Sequence, residues 1–164
     1  MVAATDEGIR KQMTVKLHRT VVVSKPLDTV FRYLADFTTT EQWDPPTRST
    51  VRSRGDGGVG TVYDNVSSIL GRDVPVEYTV VGHDAPTRLQ LRGRTSSMNM
   101  LDTITITPQD GGVRLWQDSQ FRGLLVRPLI GPLNRARLSS FHAMNAALKD
   151  RSEGMQADAS AADG

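Results

Sequence analysis

The chain contains no cysteine, so thiol nucleophiles, thiolate metal sites and disulfides are excluded from the start. Its three histidines fall on separate predicted elements. His18 is on the strand face opposite Leu17, His83 is in a turn, and His142 is at the edge of a C-terminal helix. No pair has metal-ligand spacing, and neither a metal nor another cofactor is expected. G-x-S-x-G, Walker-type and G-x-G-x-x-G motifs are absent. The glycine-rich stretch 55–60 separates two predicted strands and does not open a helix, so it reads as a turn and not as a phosphate cradle. Four polar residues remain, Tyr78, Asp102, Gln117 and Ser119, which strand alternation places on inward faces. Asp102, between Met100 and Ile104 on its face, is the one carboxylate in the apolar setting that acid–base chemistry uses.

Those inward faces follow from a period of two. Over Thr87 to Thr95, residues Leu89, Leu91, Gly93 and Thr95 share one side, and Arg88, Gln90, Arg92 and Arg94 the other. That is a strand with one buried and one wet face. The same alternation turns Val74, Val76, Tyr78 and Val80 inward, then Met98, Met100, Asp102, Ile104 and Ile106, then Val113, Leu115, Gln117, Ser119 and Phe121. A buried polar group without a partner costs about 1–3 kcal/mol. The four polar residues must therefore find one another, water or a ligand. Two readings follow: a self-satisfied network in a filled core, or a pocket lining that orients a ligand's polar end. Met98 and Met100 adapt to an irregular ligand as readily as they fill a core. Trp43, just before Asp44-Pro45-Pro46, walls the pocket mouth or anchors its own short helix.

The elements that carry these residues are legible in order. Thr14 to Val23 is a β-branched strand. Ser24 is expected to cap a helix with Pro26 in its first turn; Val30, Phe31 and Leu34 give that helix its spacing, and it ends near Asp36. A second short helix, Thr38 to Trp43, is stopped by Asp44-Pro45-Pro46. From Thr47 to Gly123 strands alternate with the turn signals Gly55-Asp56-Gly57-Gly58, Gly71, Asp84-Ala85-Pro86 and Asp110-Gly111-Gly112. With the first strand this makes an antiparallel sheet of about six to seven strands. Ile130, Leu133, Arg137, Phe141, Met144 and Leu148 then recur at helical spacing, predicting a helix from about Gly131 to Asp150. On it Phe141 faces inward, and Arg137 and Asn145 lie on or beside the apolar stripe. Arg137 either meets a ligand carboxylate or lays its stem over apolar surface towards the rim. The segments 1–12 and 154–164 read as disordered tails around one domain, 13–153.

Composition narrows the partners. Of 164 residues 38% are apolar and 23% charged, and 20 Lys and Arg face 18 Asp and Glu. So small a positive excess does not neutralise a run of phosphates, and nucleic acid is not an expected partner. No apolar run reaches ~18 residues, so no membrane span is expected, and the N-terminus lacks the hydrophobic region of a secretory signal. A cytoplasmic location is expected. Trp116, outward by alternation, suggests a partner surface, and a homodimer stays open.

Several segments carry a resemblance: Val21-Val22-Val23-Ser24-Lys25-Pro26 with Val30-Phe31-Arg32-Tyr33-Leu34-Ala35-Asp36, Glu41-Gln42-Trp43-Asp44-Pro45, Gly60-Thr61, Gly111-Gly112-Val113-Arg114-Leu115 and Arg122-Gly123-Leu124-Leu125. In this order the chain resembles the START-like (SRPBCC) superfamily, which includes polyketide cyclases and dehydrases, Bet v 1-type proteins and lipid-transfer domains. The resemblance implies an α+β helix-grip fold: a curved antiparallel sheet wrapped around a long C-terminal helix, with two short helices after the first strand. By analogy it implies hydrophobic-ligand binding. Three functions are in view: transport, sensing or storage of a small hydrophobic or amphipathic molecule such as a lipid or polyketide; a cyclase or dehydratase with Asp102 or Tyr78 as acid or base; and an interaction module with a filled core.

Overall fold

The computed structural model describes residues 14–123 and the helical position Ala146, with side chains from Thr20 onward. Strand β1 (Thr14–Val23) leads through Pro26 into helix α1 (Leu27–Ala35), a 3-10 turn (Phe37–Thr39) and the single-turn helix α2 (Thr40–Trp43). Six strands follow: β2 (Thr47–Arg54), β3 (Val62–Ile69), β4 (Arg72–Asp84), β5 (Arg88–Arg94), β6 (Met98–Gln109) and β7 (Gly112–Gly123). They form one seven-stranded antiparallel sheet in the order β1-β7-β6-β5-β4-β3-β2. Each strand from β2 to β6 pairs with the next in sequence, and β1 pairs with β7. Among the described residues no helix is long and apolar enough to cross a membrane.

The alternation read from the sequence is the alternation of burial. Leu89, Leu91, Ile104, Ile106, Val113 and Leu115 are buried, while Arg88, Arg92, Arg94, Arg114 and Trp116 are exposed. Helix α1 covers this inner face with Val30, Phe31, Tyr33 and Leu34, and together they form the main core. A second cluster, Val76, Met98, Met100 and Phe121, lies further along the sheet, and Tyr78 packs against both.

Two local expectations are corrected. Ser24 does not cap α1. The helix begins at Leu27, Pro26 is its extended N-cap residue, and the Pro26 carbonyl takes the first helical bond from Val30 N at 3.1 Å. The fixed φ of proline suits that position, so Ser24 falls too early to reach the orphan N–H groups. His83 is not in a turn. A bulge at Val81 shifts the β4–β5 register between Val80 and Gly82, so β4 keeps pairing as far as Asp84. His83 then sits on the strand with its ring edge-on to Phe31, 5.1 Å between centroids. The expected C-terminal helix and both tails lie outside the described residues, apart from Ala146, which is helical.

Tyr63 on β3 gives the core a pH dependence. Its side chain is 1% exposed and packs against Phe37 at 5.6 Å between ring centroids. Burial pushes its phenol above the ordinary value of 10.0, with a hydrogen bond from the Phe37 backbone partly opposing. A folded value raised above the unfolded one means that this stabilisation is complete below about pH 10 and is lost as pH rises through the folded value. Urea midpoints should therefore fall in strong alkali, and less so in Tyr63→Phe. An alkaline loss equally steep in that variant would clear Tyr63 of the effect.

Candidate functional site

A cavity of about 80 Å³ lies between the inner face of the sheet and the turn carrying α2. One wall comes from β4, β6 and β7, where the inward residues Val76, Tyr78, Met98, Met100, Asp102, Ile104, Gln117 and Phe121 all line it. Gly93 on β5 makes room for that wall. It pairs with Tyr78 on one side and Met100 on the other, and a Cβ there would come 2.4 Å from Met100 Cγ. The Tyr78 ring stands edge-on to Phe37 at 4.8 Å, and its hydroxyl donates to Met100 Sδ at 3.3 Å.

Asp102 is the charged feature of this wall and is only 6% exposed. Pairing of β6 with β7 sets it opposite Ser119, and the Ser119 hydroxyl donates to Asp102 Oδ1. Gln117 Nε2 donates to the same oxygen at 3.4 Å. Two donors converging on a buried carboxylate offset part of its desolvation. Asp102 thus carries its own supporting pair, one member of which, Gln117, also faces the cavity.

The wall opposite is polar, and the sequence reasoning missed it. Thr40 of α2, Thr50 of β2, and Asn65 and Ser67 of β3 are all buried and joined side chain to side chain. Thr40, Asn65 and Ser67 line the cavity beside Asp44 and Thr47. The period-two signal was present from Tyr63 onward: Tyr63, Asn65 and Ser67 are buried, while Asp64 is exposed and Val66 and Ser68 are half-buried. A strand whose inward side chains are amides and hydroxyls carries no hydropathy contrast, so nothing distinguishes its buried face.

Of the residues expected at the site, Trp43, Tyr78, Met98, Met100, Asp102 and Gln117 meet around this one cavity. Ser119 stands behind Asp102 and supports it. Trp43 is 8% exposed and donates its indole N–H to Thr39 Oγ1 at 3.1 Å, so it is fastened to its own helical turn as well as facing the cavity. Arg137, Phe141, Asn145 and His142 lie outside the described residues. Trp116 faces outward, 42% exposed, and donates to Asp118 Oδ2 at 2.9 Å. Among the described residues no three His, Asp or Glu side chains cluster as a metal site.

Solved structures share this architecture. The aromatase/cyclase Zhui from Streptomyces sp. R1128 superposes with a TM-score of 0.75 at 16% identity, covering 85% of this chain and 96% of that one. A START superfamily protein from Mycobacterium smegmatis gives 0.66 at 18% identity, covering 85% and 98%. Ara h 8.0201 gives 0.69 at 15% identity, covering 84% and 99%. At such identities the likeness is one of fold. No curated protein matches the chain in sequence. The family model for polyketide cyclase / dehydrase and lipid transport matches residues 14–153, which takes in every strand of the sheet and both walls of the cavity, and the chain belongs to that family.

Proposed function

We propose that the chain binds a compact, largely apolar molecule with polar groups, as a carrier, sensor or store. The observation that carries this reading is the cavity itself. Its apolar lining, Val76, Leu91, Met98, Met100, Ile104 and Phe121, lies between polar residues on two sides, Asp102 and Gln117 on one and Asn65 and Ser67 on the other. Apolar surface with a few convergent polar groups is the common form of a small-molecule site. The volume is below the ~300–1,000 Å³ of drug-sized pockets, which suits a compact ligand or one end of a longer one. N-phenyl-1-naphthylamine should bind the folded chain at about one site. Met100→Trp, which fills the space, should weaken it about tenfold or more. No binding, or affinity unmoved in a Met100→Trp variant of normal thermal midpoint, would count for a closed core and an interaction module.

A second reading, an enzyme of cyclase or dehydratase type, is favoured by the placement of the Asp102 carboxylate on the cavity wall and by the fold shared with an aromatase/cyclase. The carrier reading is preferred because the lining is mostly apolar with a few convergent polar groups, which is what binding alone requires.

A further inference from the structure

The order of protons along the polar wall restricts what the cavity can hold. Thr40 Oγ1 lies 2.8 Å from the Phe37 carbonyl oxygen, and a carbonyl only accepts, so the Thr40 proton is committed there. Thr40 Oγ1 and Thr50 Oγ1 are 2.7 Å apart, and with Thr40 committed it is Thr50 that donates. The Asn65 atom facing Thr50 Oγ1 at 2.7 Å is then its amide nitrogen. Its carbonyl oxygen consequently faces Ser67 Oγ at 2.7 Å, and Ser67 donates to it. This orientation follows from the chain of donors and holds whichever way the amide is drawn. The other Asn65 N–H points to Thr47 Oγ1 at 3.4 Å, whose own proton goes to Asp44 Oδ2 at 2.7 Å.

Every side-chain hydroxyl and amide proton of this wall is thus used within the wall, and what it turns to the cavity is lone pairs. Ser67 Oγ, 8% exposed and lining the cavity, has donated its proton and accepts from no described group. Asn65 Oδ1 keeps a second lone pair beside it. From this we infer that the cavity selects molecules presenting a hydroxyl or N–H donor to Ser67 and Asn65, and rejects those whose polar atom there is only an acceptor. The inference rests on the binding reading above and names the chemistry that reading requires. A proton-free oxygen at this point gives up its water hydrogen bonds and meets only lone pairs.

The test titrates the full chain with 2-naphthol and 2-methoxynaphthalene, which share a ring system and differ by a donor proton replaced with methyl. 2-Naphthol should bind about tenfold or more tightly than its ether. Ser67→Ala removes one of the two acceptors and leaves Asn65 Oδ1, so it should narrow the ratio without abolishing it, chiefly by weakening 2-naphthol. Thr40→Val acts from the far end of the chain. With its acceptor gone, Thr50 can donate to a flipped Asn65, whose amide nitrogen then faces Ser67 and frees the Ser67 proton for the cavity. That variant should shift the ratio towards the ether, whereas a purely structural role for Thr40 would weaken both probes alike. Equal wild-type affinities, or a ratio unmoved by both substitutions, would overturn the inference and leave the binding reading standing. If neither these probes nor N-phenyl-1-naphthylamine binds, the binding reading falls and the inference falls with it.

Discussion

Gly112→Ala should cost about 2–4 kcal/mol of folding stability. A Cβ at this position would come 2.1 Å from the Val23 carbonyl oxygen and 2.8 Å from Ser24 Cα. Both are backbone atoms, so no rotamer change relieves the contact. The end of β1 would have to part from the start of β7, where Val113 pairs with Val23. Gly112 also pairs with Gln109 across the β6–β7 turn and has φ +156, so a shift there disturbs both neighbours of β7. Gly111→Ala is the control. A Cβ at Gly111 meets nothing within 4 Å, and only the left-handed backbone at φ +77 opposes it, a cost of about 1–2 kcal/mol. Urea denaturation of the three proteins should give midpoints in the order wild type, Gly111→Ala, Gly112→Ala with a common m-value. A loss below about 1 kcal/mol in Gly112→Ala would mean that β1 does not crowd this turn.

The sheet was legible because its central strands alternate strong hydrophobes with arginines and threonines. In Arg88–Arg94 and over residues 98–107 the alternation separates the two faces, with Asp102 the polar exception on the inner one, and burial follows it. The turns were legible where glycine supplies positive φ, as at Gly71 and Gly111. What the alternation could not carry was the bulge at Val81. One extra residue in β4 costs no hydropathy signal, yet it lengthens the strand and moves His83 out of the turn. Pairing between strands decides such a shift, and a single strand's sequence does not contain it.

The candidate site divided along the same line. Tyr78, Asp102, Gln117 and Ser119 stood out because each interrupts an apolar face, and the sheet brings Asp102, Gln117 and Ser119 into direct hydrogen-bonding contact. Asn65 and Ser67 interrupt nothing, since their neighbours on the inner face of β3 include Tyr63 and each other. Their burial comes from α2 and Thr50 closing over them, a contact between segments that no local pattern announces. Polar walls of this kind are visible only once the fold is assembled.

Asp102→Leu should cost about 2–4 kcal/mol, whereas Asp102→Asn should cost only about 1 kcal/mol. Leucine keeps the branched outline, with bulkier methyl ends, but takes the Asp102 acceptor from two donors. Ser119 is 1% exposed, so water does not replace the bond to Asp102 that its hydroxyl loses, at a cost of about 1–3 kcal/mol. Gln117 is half-buried and borders the cavity, so it recovers part of its loss there. Asparagine keeps an oxygen facing both donors and loses only the strengthening that a charged acceptor provides. The double variant Asp102→Leu/Ser119→Ala should then be less destabilised than the sum of its parts, because the second change removes the group the first left unsatisfied. Additive costs would show that Ser119 and Asp102 are not energetically coupled. The same asparagine variant separates the two functional readings. In a carrier its affinity for N-phenyl-1-naphthylamine should move by less than about 1.5 kcal/mol, the scale of one neutral hydrogen bond. If a substrate of the wild-type chain is turned over about 10²–10⁴-fold more slowly by Asp102→Asn at unchanged affinity, proton transfer belongs to Asp102 and the enzyme reading replaces the carrier.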